Sequence, residues 1–248
     1  MTNLLELQGV TRAFHDYVAV NEFDLVVKEG ELRCLLGPNG AGKTTCLDLI
    51  TGRQKLSSGK VLFQGKDITR LKEQDIARLG VGRKLQVPAV FKELTVRDNL
   101  EVAYSLEKGP FASIMSHHRS SGESRFGRIV ELVGLKDRLN AIAGLLSHGE
   151  TQWLEIGMVL MQDPRLLLMD EPTAGMTEQE TMKTSELFNE LRGEHTLVVV
   201  EHDMSFVREI ADVITVMHMG SLLAEGPIAE IENDPRVKEV YLGPDGIG

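Results

Sequence analysis

Residues 37–45 read GPNGAGKTT, and no other run in the chain constrains the fold as tightly. It fits the pattern G-x-x-x-x-G-K-[ST] in full, from Gly37 through Gly42 to Lys43 and Thr44. Such a loop functions only where a buried strand runs into it and a helix runs out of it. Both flanks are present. ELRCLLG, residues 31–37, is almost continuously apolar, as expected of a strand covered on both faces. CLDLITGRQ, residues 46–54, carries Leu47, Leu49 and Ile50 at helical spacing. The glycines let backbone N–H groups curl around phosphate oxygens, and the helix N-terminus adds a favourable dipole. Lys43 can reach β- and γ-phosphates, and the Thr44 hydroxyl can ligate Mg²⁺. A glycine-rich turn with an accidental lysine is the bland alternative. The loop predicts a nucleoside-triphosphate site.

Four further residues belong with that loop. LLLMDE, residues 166–171, places Asp170 and Glu171 at the C-terminal end of a predicted strand, the edge where open α/β sheets bind ligands. Asp170 is suited to holding Mg²⁺ through water, and Glu171 to orienting or deprotonating the attacking water. A charged strand exit before a proline turn is common by itself; the phosphate loop in the same chain favours the catalytic reading. His202 closes another buried strand, TLVVVEHD, and from the same edge can reach a γ-phosphate, although a lone histidine there is more often structural. Gln86, in GRKLQVP, carries an amide that can sense Mg²⁺ or water. Spacing alone leaves that role and an ordinary polar loop equally open. LSHGE, residues 146–150, reads first as a helix start, with Ser147 as N-cap and Glu150 completing a capping box.

Along the chain, LLELQGV and YVAVNEFDLVV precede the first buried strand as two more strands, and SSGKVLFQGKDI reads as turn, strand and turn. Residues from about 72 to 145 are expected to be mostly helical. Within them 108–127, rich in Ser, Gly and His, lacks a period and is expected to be a loop. TQWLEIGMVLMQ, EQETMKTSELFNELRGE and MSFVREIAD read as helices, and DVITVMHMGSLLAEG as a hairpin turning near Gly220. Strand–helix alternation with continuously apolar strands argues an α/β fold with a mostly parallel core sheet and an inserted helical lobe. A formal net charge of −10 disfavours binding to nucleic acid or to anionic lipid. The two cysteines, Cys34 and Cys46, lie in apolar runs and are expected to be reduced core residues. Neither a signal peptide nor an apolar run of the ~18 residues that span a bilayer is present, so a cytosolic protein is expected.

Taken together, the GPNGAGKTT loop, a glutamine some way on, an LSxGx step, an apolar strand ending in Asp-Glu and a histidine after the next strand resemble the ATPase subunit of ABC transporters. The resemblance covers essentially the whole chain. It implies a P-loop NTPase fold with an N-terminal antiparallel β subdomain, residues 1–87 and 151–248 as catalytic core and about 88–150 as the helical lobe. It implies ATP and Mg²⁺ as ligands. Gly37, Pro38, Asn39, Gly40, Ala41, Gly42, Lys43, Thr44 and Thr45 would cradle the phosphates. Phe14 would stack on adenine, with Tyr17 as a weaker candidate. Thr44, Gln86 and Asp170 would serve the metal, and Glu171, His202 and Gln86 the hydrolysis. Ser147, His148, Gly149 and Glu150 form the signature step. In a head-to-tail dimer, Ser147 and Gly149 would donate to the γ-phosphate held by the partner.

The implied partners are a second, non-identical ATPase subunit, two integral-membrane permeases and, indirectly, an extracytoplasmic solute-binding protein, with no nucleic acid. The protein would then lie on the inner face of the membrane, with Phe91 and Leu94 available to a permease helix. Three departures stand out: His148 replaces a glycine, Glu150 stands where glutamine is commoner, and AGMT after the carboxylates lacks an aspartate. The added imidazole either faces the phosphate or points to solvent. GVGRKLQVPAVFKELTVRDNLEVA, EHDMSFV and DPRVKEVYLG are similar to importers of the branched-chain amino-acid type. LSHGETQWLEIGMVLMQ and DEPTAGMT are more similar to urea-uptake subunits. Urea is therefore the expected solute, with branched-chain amino acids as the alternative. A soluble ABC ATPase acting on nucleic acid or ribosomes is a rival that the single cassette and acidic charge disfavour. A P-loop GTPase or kinase is disfavoured by the lack of N-K-x-D and by LSHGE.

Overall fold

The apolar run into the phosphate loop forms the middle of a parallel sheet in the computed structural model, which describes residues 2–84, 90–108 and 119–242. β1 (Asn3–Phe14) and β2 (Tyr17–Lys28) pair antiparallel and lead to β3 (Leu32–Leu36). α1 (Lys43–Ile50) follows, then β4 (Ser58–Phe63), β5 (Lys66–Asp67), α2 (Glu73–Arg78) and β6 (Val81–Lys84). α3 (Val96–Lys108), α4 (Arg119–Leu132) and α5 (His148–Leu160) make the helical lobe. The chain then alternates through β7 (Leu166–Asp170), α6 (Glu178–Leu191), β8 (Thr196–Val200) and α7 (Met204–Ile210). The hairpin β9 (Val213–His218) and β10 (Ser221–Gly226) precedes α8 (Ile228–Ile231) and α9 (Pro235–Leu242).

Two sheets result. β2-β1-β4-β5 is antiparallel, as expected of the N-terminal subdomain. The larger sheet has the order β10-β9-β3-β8-β7-β6, parallel except for β10 at its edge. Every residue of β3, β7 and β8 is buried, because both faces of the sheet are covered. Side-chain alternation divides the core between those faces. Leu35, Leu168 and Val198 pack toward Cys46, Leu47 and Phe63, beneath the antiparallel sheet. Cys34, Leu36, Leu167, Met169 and Val199 pack toward Trp153, Phe188 and Phe206, under α5, α6 and α7. Cys34 and Cys46 are free and buried, and burial pushes the Cys46 thiol up to about 12. Among the described residues no helix is long and apolar enough to cross a membrane.

Several expectations need correction. VGRK, within the stretch expected to be helical, is the strand β6 paired with β7. Its charges disguise a buried strand: Arg83 is paired with Asp48, and Lys84 lies 3.5 Å from Glu155 of α5. The loop expected over 108–127 is helical from Arg119 onward, and 109–118 lie outside the described residues. Tertiary contacts override weak propensity there: Arg125 pairs with Asp163, and the Arg97 guanidinium lies 5.2 Å over the Phe126 ring. The expectations made for Gln86 also lie outside the described residues. α5 begins at His148, so the helix carrying the LSHGE step runs through the expected lobe boundary at 150.

Candidate functional site

The phosphate loop takes its shape from what its glycines exclude. A Cβ on Gly37 would lie 2.3 Å from the Met217 carbonyl oxygen, and one on Gly42 2.3 Å from that of Ala19. Gly42 caps α1 with φ 102°, a left-handed conformation that glycine adopts at little cost. The loop is thus clamped between β2 and β9. Lys43 is buried and folds back, its Nζ donating to the carbonyls of Gly37 (2.6 Å) and Pro38 (3.1 Å). Burial lowers its ammonium pKa, an effect that Glu171 and Asp170 oppose.

Asp170 ends β7 across from α1. Its Oδ1 lies 3.5 Å from the Thr44 hydroxyl, and its Oδ2 is buried without a hydrogen-bond partner among the described residues. Burial raises the carboxyl pKa, opposed by the Thr44 hydrogen bond and by Arg83. Arg83 bridges from β6: Nη1 reaches Asp48 of α1 at 2.5 Å and Nη2 lies 3.7 Å from Asp170 Oδ2. A buried carboxylate with an orphaned oxygen beside a hydroxyl fits a hard divalent cation. No group of three or more His, Cys, Asp or Glu able to hold a metal occurs among the described residues. A Mg²⁺ here would take its remaining ligands from phosphate and water, its usual habit.

Glu171, the next residue, is left-handed at φ 48°, a conformation that costs a non-glycine residue about 1–3 kcal/mol. Its N–H is anchored on the Val200 carbonyl at 2.9 Å, and the turn aims the partly exposed carboxylate off the sheet edge. His202 Nδ1 lies 4.0 Å from Glu171 Oε1. Glu201, fully buried, accepts from Thr173 Oγ1 (2.6 Å), Thr173 N and His202 N, and so ties the backbone of His202 to the turn two residues after Glu171. Sequence reasoning missed Arg83 and Glu201. For Glu201 the available signal was a charge directly after the apolar run of β8; Arg83, beside Lys84 in VGRK, gave none.

A cavity of about 240 Å³ connects these parts, lined by the loop from Asn39 to Thr45 together with Phe14, Tyr17 and Glu171. Phe14 lies at the end of β1 with the Arg12 guanidinium 4.2 Å over its ring, and Tyr17 donates to the Gly40 carbonyl at 3.2 Å. A larger depression of about 480 Å³ near Asn3, Gln64 and Arg165 contains no phosphate-loop residue. The small cavity falls below the ~300–1,000 Å³ that encloses a drug-sized ligand.

Ser147, His148, Gly149 and Glu150 do not line it. They start α5, where the expected capping box is present: Glu150 N donates to Ser147 Oγ (3.1 Å) and Ser147 N to Glu150 Oε2 (2.9 Å). Arg138 pairs with Glu150 at 2.7 Å. The His148 side chain is exposed, as one of its two expected orientations has it, and it has an acceptor that neither expectation named. Its Nε2 hydrogen-bonds the Ala174 carbonyl at 2.9 Å, so the ring docks on the AGMT loop of its own subunit. Gly175, left-handed at φ 74°, leaves the room: a Cβ there would lie 3.2 Å from that nitrogen.

The chain matches the family described as "ABC transporter" over residues 20–174, and "Branched-chain amino acid ATP-binding cassette transporter" over 221–243. It is 38% identical to the high-affinity branched-chain amino acid transport ATP-binding protein LivG of Salmonella typhimurium, over 97% of this chain and 98% of that one. Identity to BraF of Pseudomonas aeruginosa, a protein of the same description, is 37% with the same coverage. Among solved structures it is similar to the ADP conformation of an ATP-binding cassette of an ABC transporter, with a TM-score of 0.86 and 30% identity over 98% of this chain and 100% of that one. A nucleotide-free ATP-binding cassette matches with a TM-score of 0.83 and 29% identity over the same shares. The chain therefore belongs to the ABC transporter family, as an ATP-hydrolysing, ATP-binding subunit of the branched-chain amino-acid importer type.

Proposed function

We propose that this subunit hydrolyses Mg²⁺-ATP on the cytoplasmic face of a membrane and drives branched-chain amino acids through two partner permeases fed by a solute-binding protein. The observation that supports it most is the convergence of Lys43, Thr44, Asp170 and Glu171 on one sheet edge in a chain whose relatives carry that transport description. Lys43 and the loop N–H groups bind and orient the phosphates. Thr44 and Asp170 hold the metal, which neutralises phosphate charge. Glu171 takes a proton from the attacking water, with His202 beside it, and Phe14 offers a face for adenine. Gln86 is assigned to the metal and to coupling with the lobe at about 88–150. Because the cavity is open and the LSHGE step points elsewhere, a second ATPase subunit completes the site head to tail, lending its own signature serine and glycine.

The relatives favour branched-chain amino acids over urea as the solute. Urea stands as a second reading, carried by LSHGETQWLEIGMVLMQ and DEPTAGMT, two segments that touch through His148 and Ala174. Uptake by vesicles holding the cognate permeases decides between them: ATP-driven leucine accumulation without urea accumulation is expected, and the reverse would replace the first reading with the second.

The same vesicles test the coupling surface. Phe91 and Leu145 are exposed on the lobe, and the backbone at Phe91 is held by buried Asn99, which accepts from its N–H (2.8 Å) and donates to its carbonyl (3.0 Å). A core role for the Phe91 ring is thereby excluded. Phe91→Asp should change stability by no more than the ~0.5 kcal/mol typical of surface changes, leaving the melting temperature nearly unchanged. Basal ATPase should persist while transport falls. Transport at the parent level would remove Phe91 from the permease contact.

A further inference from the structure

The hydroxyl of Ser147 has one proton to give. It already accepts a hydrogen bond from Glu150 N, and its own proton goes to Glu180 Oε1 at 3.3 Å. Glu180 is not free to swing away. It closes the capping box of α6, with Oε2 accepting from Thr177 N (2.9 Å) and Thr177 Oγ1 (3.0 Å). Gly149 is pressed against the same carboxylate: a Cβ there would fall 2.3 Å from Glu180 Oε1 and 2.4 Å from its Cδ. The two residues assigned above to a partner's phosphate therefore both face an anion of their own subunit. The hydrogen bonds from Thr177 and Ser147, with the nearby His148, hold the Glu180 carboxyl below the usual carboxylate range, so it is ionised at neutral pH.

We infer that Glu180 is a positioning residue for the ATPase reaction: it engages the Ser147 hydroxyl in competition with the partner's γ-phosphate and so sets the ATP level at which two subunits close. The inference rests on the proposed role of Ser147 across the dimer. For Ser147 to donate to phosphate, its proton must leave Glu180, and the incoming anion then faces a fixed negative charge. Both effects oppose closure; removing the charge abolishes the repulsion and weakens the hold on the Ser147 proton. Nothing in the local sequence suggests the contact, since Ser147 and Glu180 are 33 positions apart.

Glu180→Gln isolates the charge, because glutamine also completes a capping box and keeps the start of α6. The assay uses Glu171→Gln protein to prevent turnover, with ATP-driven association followed by sedimentation velocity at fixed protein concentration. Adding Glu180→Gln should lower the ATP concentration for half-association about tenfold, the scale of one unit charge removed from beside another. Raising NaCl should lower the half-point while Glu180 is present, since salt screens the repulsion, and should move it far less once Glu180→Gln has removed that charge. The melting temperature should not change. An unchanged or higher half-point at an unchanged melting temperature would overturn the inference, as would a Glu180→Gln protein that stays monomeric. Ser147→Ala in the same background separates this failure from that of the underlying reading. If Ser147→Ala associates as its parent does, Ser147 does not serve a partner's nucleotide and both fall. If it fails to associate while Glu180→Gln changes nothing, only the role of Glu180 falls.

Discussion

Glu171→Gln is expected to slow ATP hydrolysis by at least about 100-fold, the scale of losing a general base, while ATP binding is retained. The amide matches the carboxylate in shape but cannot take a proton. The backbone that places it is unaffected, because the left-handed turn at Glu171 is held by its N–H on the Val200 carbonyl and by Glu201 beneath the following Thr173. Strain at a strand's end is tolerated where the surroundings over-determine it, and such positions cluster at active sites. Single-turnover hydrolysis with a separate nucleotide-binding titration measures the two effects independently. Turnover at the parent rate would remove Glu171 from the chemistry and leave its strained conformation without a functional reason.

Lys43→Ala should fail at the earlier step. The lysine is buried with its Nζ held by the carbonyls of Gly37 and Pro38, and burial already disfavours its charge. Phosphate oxygens would replace those carbonyls with charge-assisted contacts, each worth about 1.5–3 kcal/mol. Losing two of them weakens ATP binding by roughly 100-fold or more at that scale. The fold should persist, since the loop is clamped by Met217 and Ala19 through its glycines rather than by Lys43. Equilibrium binding at constant melting temperature is the readout. The contrast is diagnostic: one variant binds without turning over, the other hardly binds.

The parts of this molecule legible in the sequence are those whose chemistry is local. GPNGAGKTT carries its own strand and helix, LLLMDE carries its own sheet edge, and Ser147 and Glu150 announce a capping box within four residues. What escapes a local reading depends on partners far along the chain. β6 looks unlike a buried strand until Arg83 meets Asp48 and Asp170, and Lys84 approaches Glu155. The helix from Arg119 is anchored by Asp163, which pairs with Arg125 from beyond the end of α5. For His148, phosphate and solvent are the only destinations its neighbours suggest, because its acceptor, Ala174, belongs to a different loop. Tyr241 of α9 lies against the backbone of Gly37, a contact that no local pattern announces. Local rules reach the phosphate loop and the carboxylate pair; their distant neighbours require the fold.

The central claim is that this half-site hydrolyses ATP only when a second subunit covers it. ATPase turnover per subunit, measured against protein concentration with sedimentation run on the same samples, tests it most directly. A shared site predicts weak activity that rises more than linearly with concentration, following the appearance of dimer. Activity strictly proportional to concentration, in protein that sediments as a monomer throughout, would contradict it.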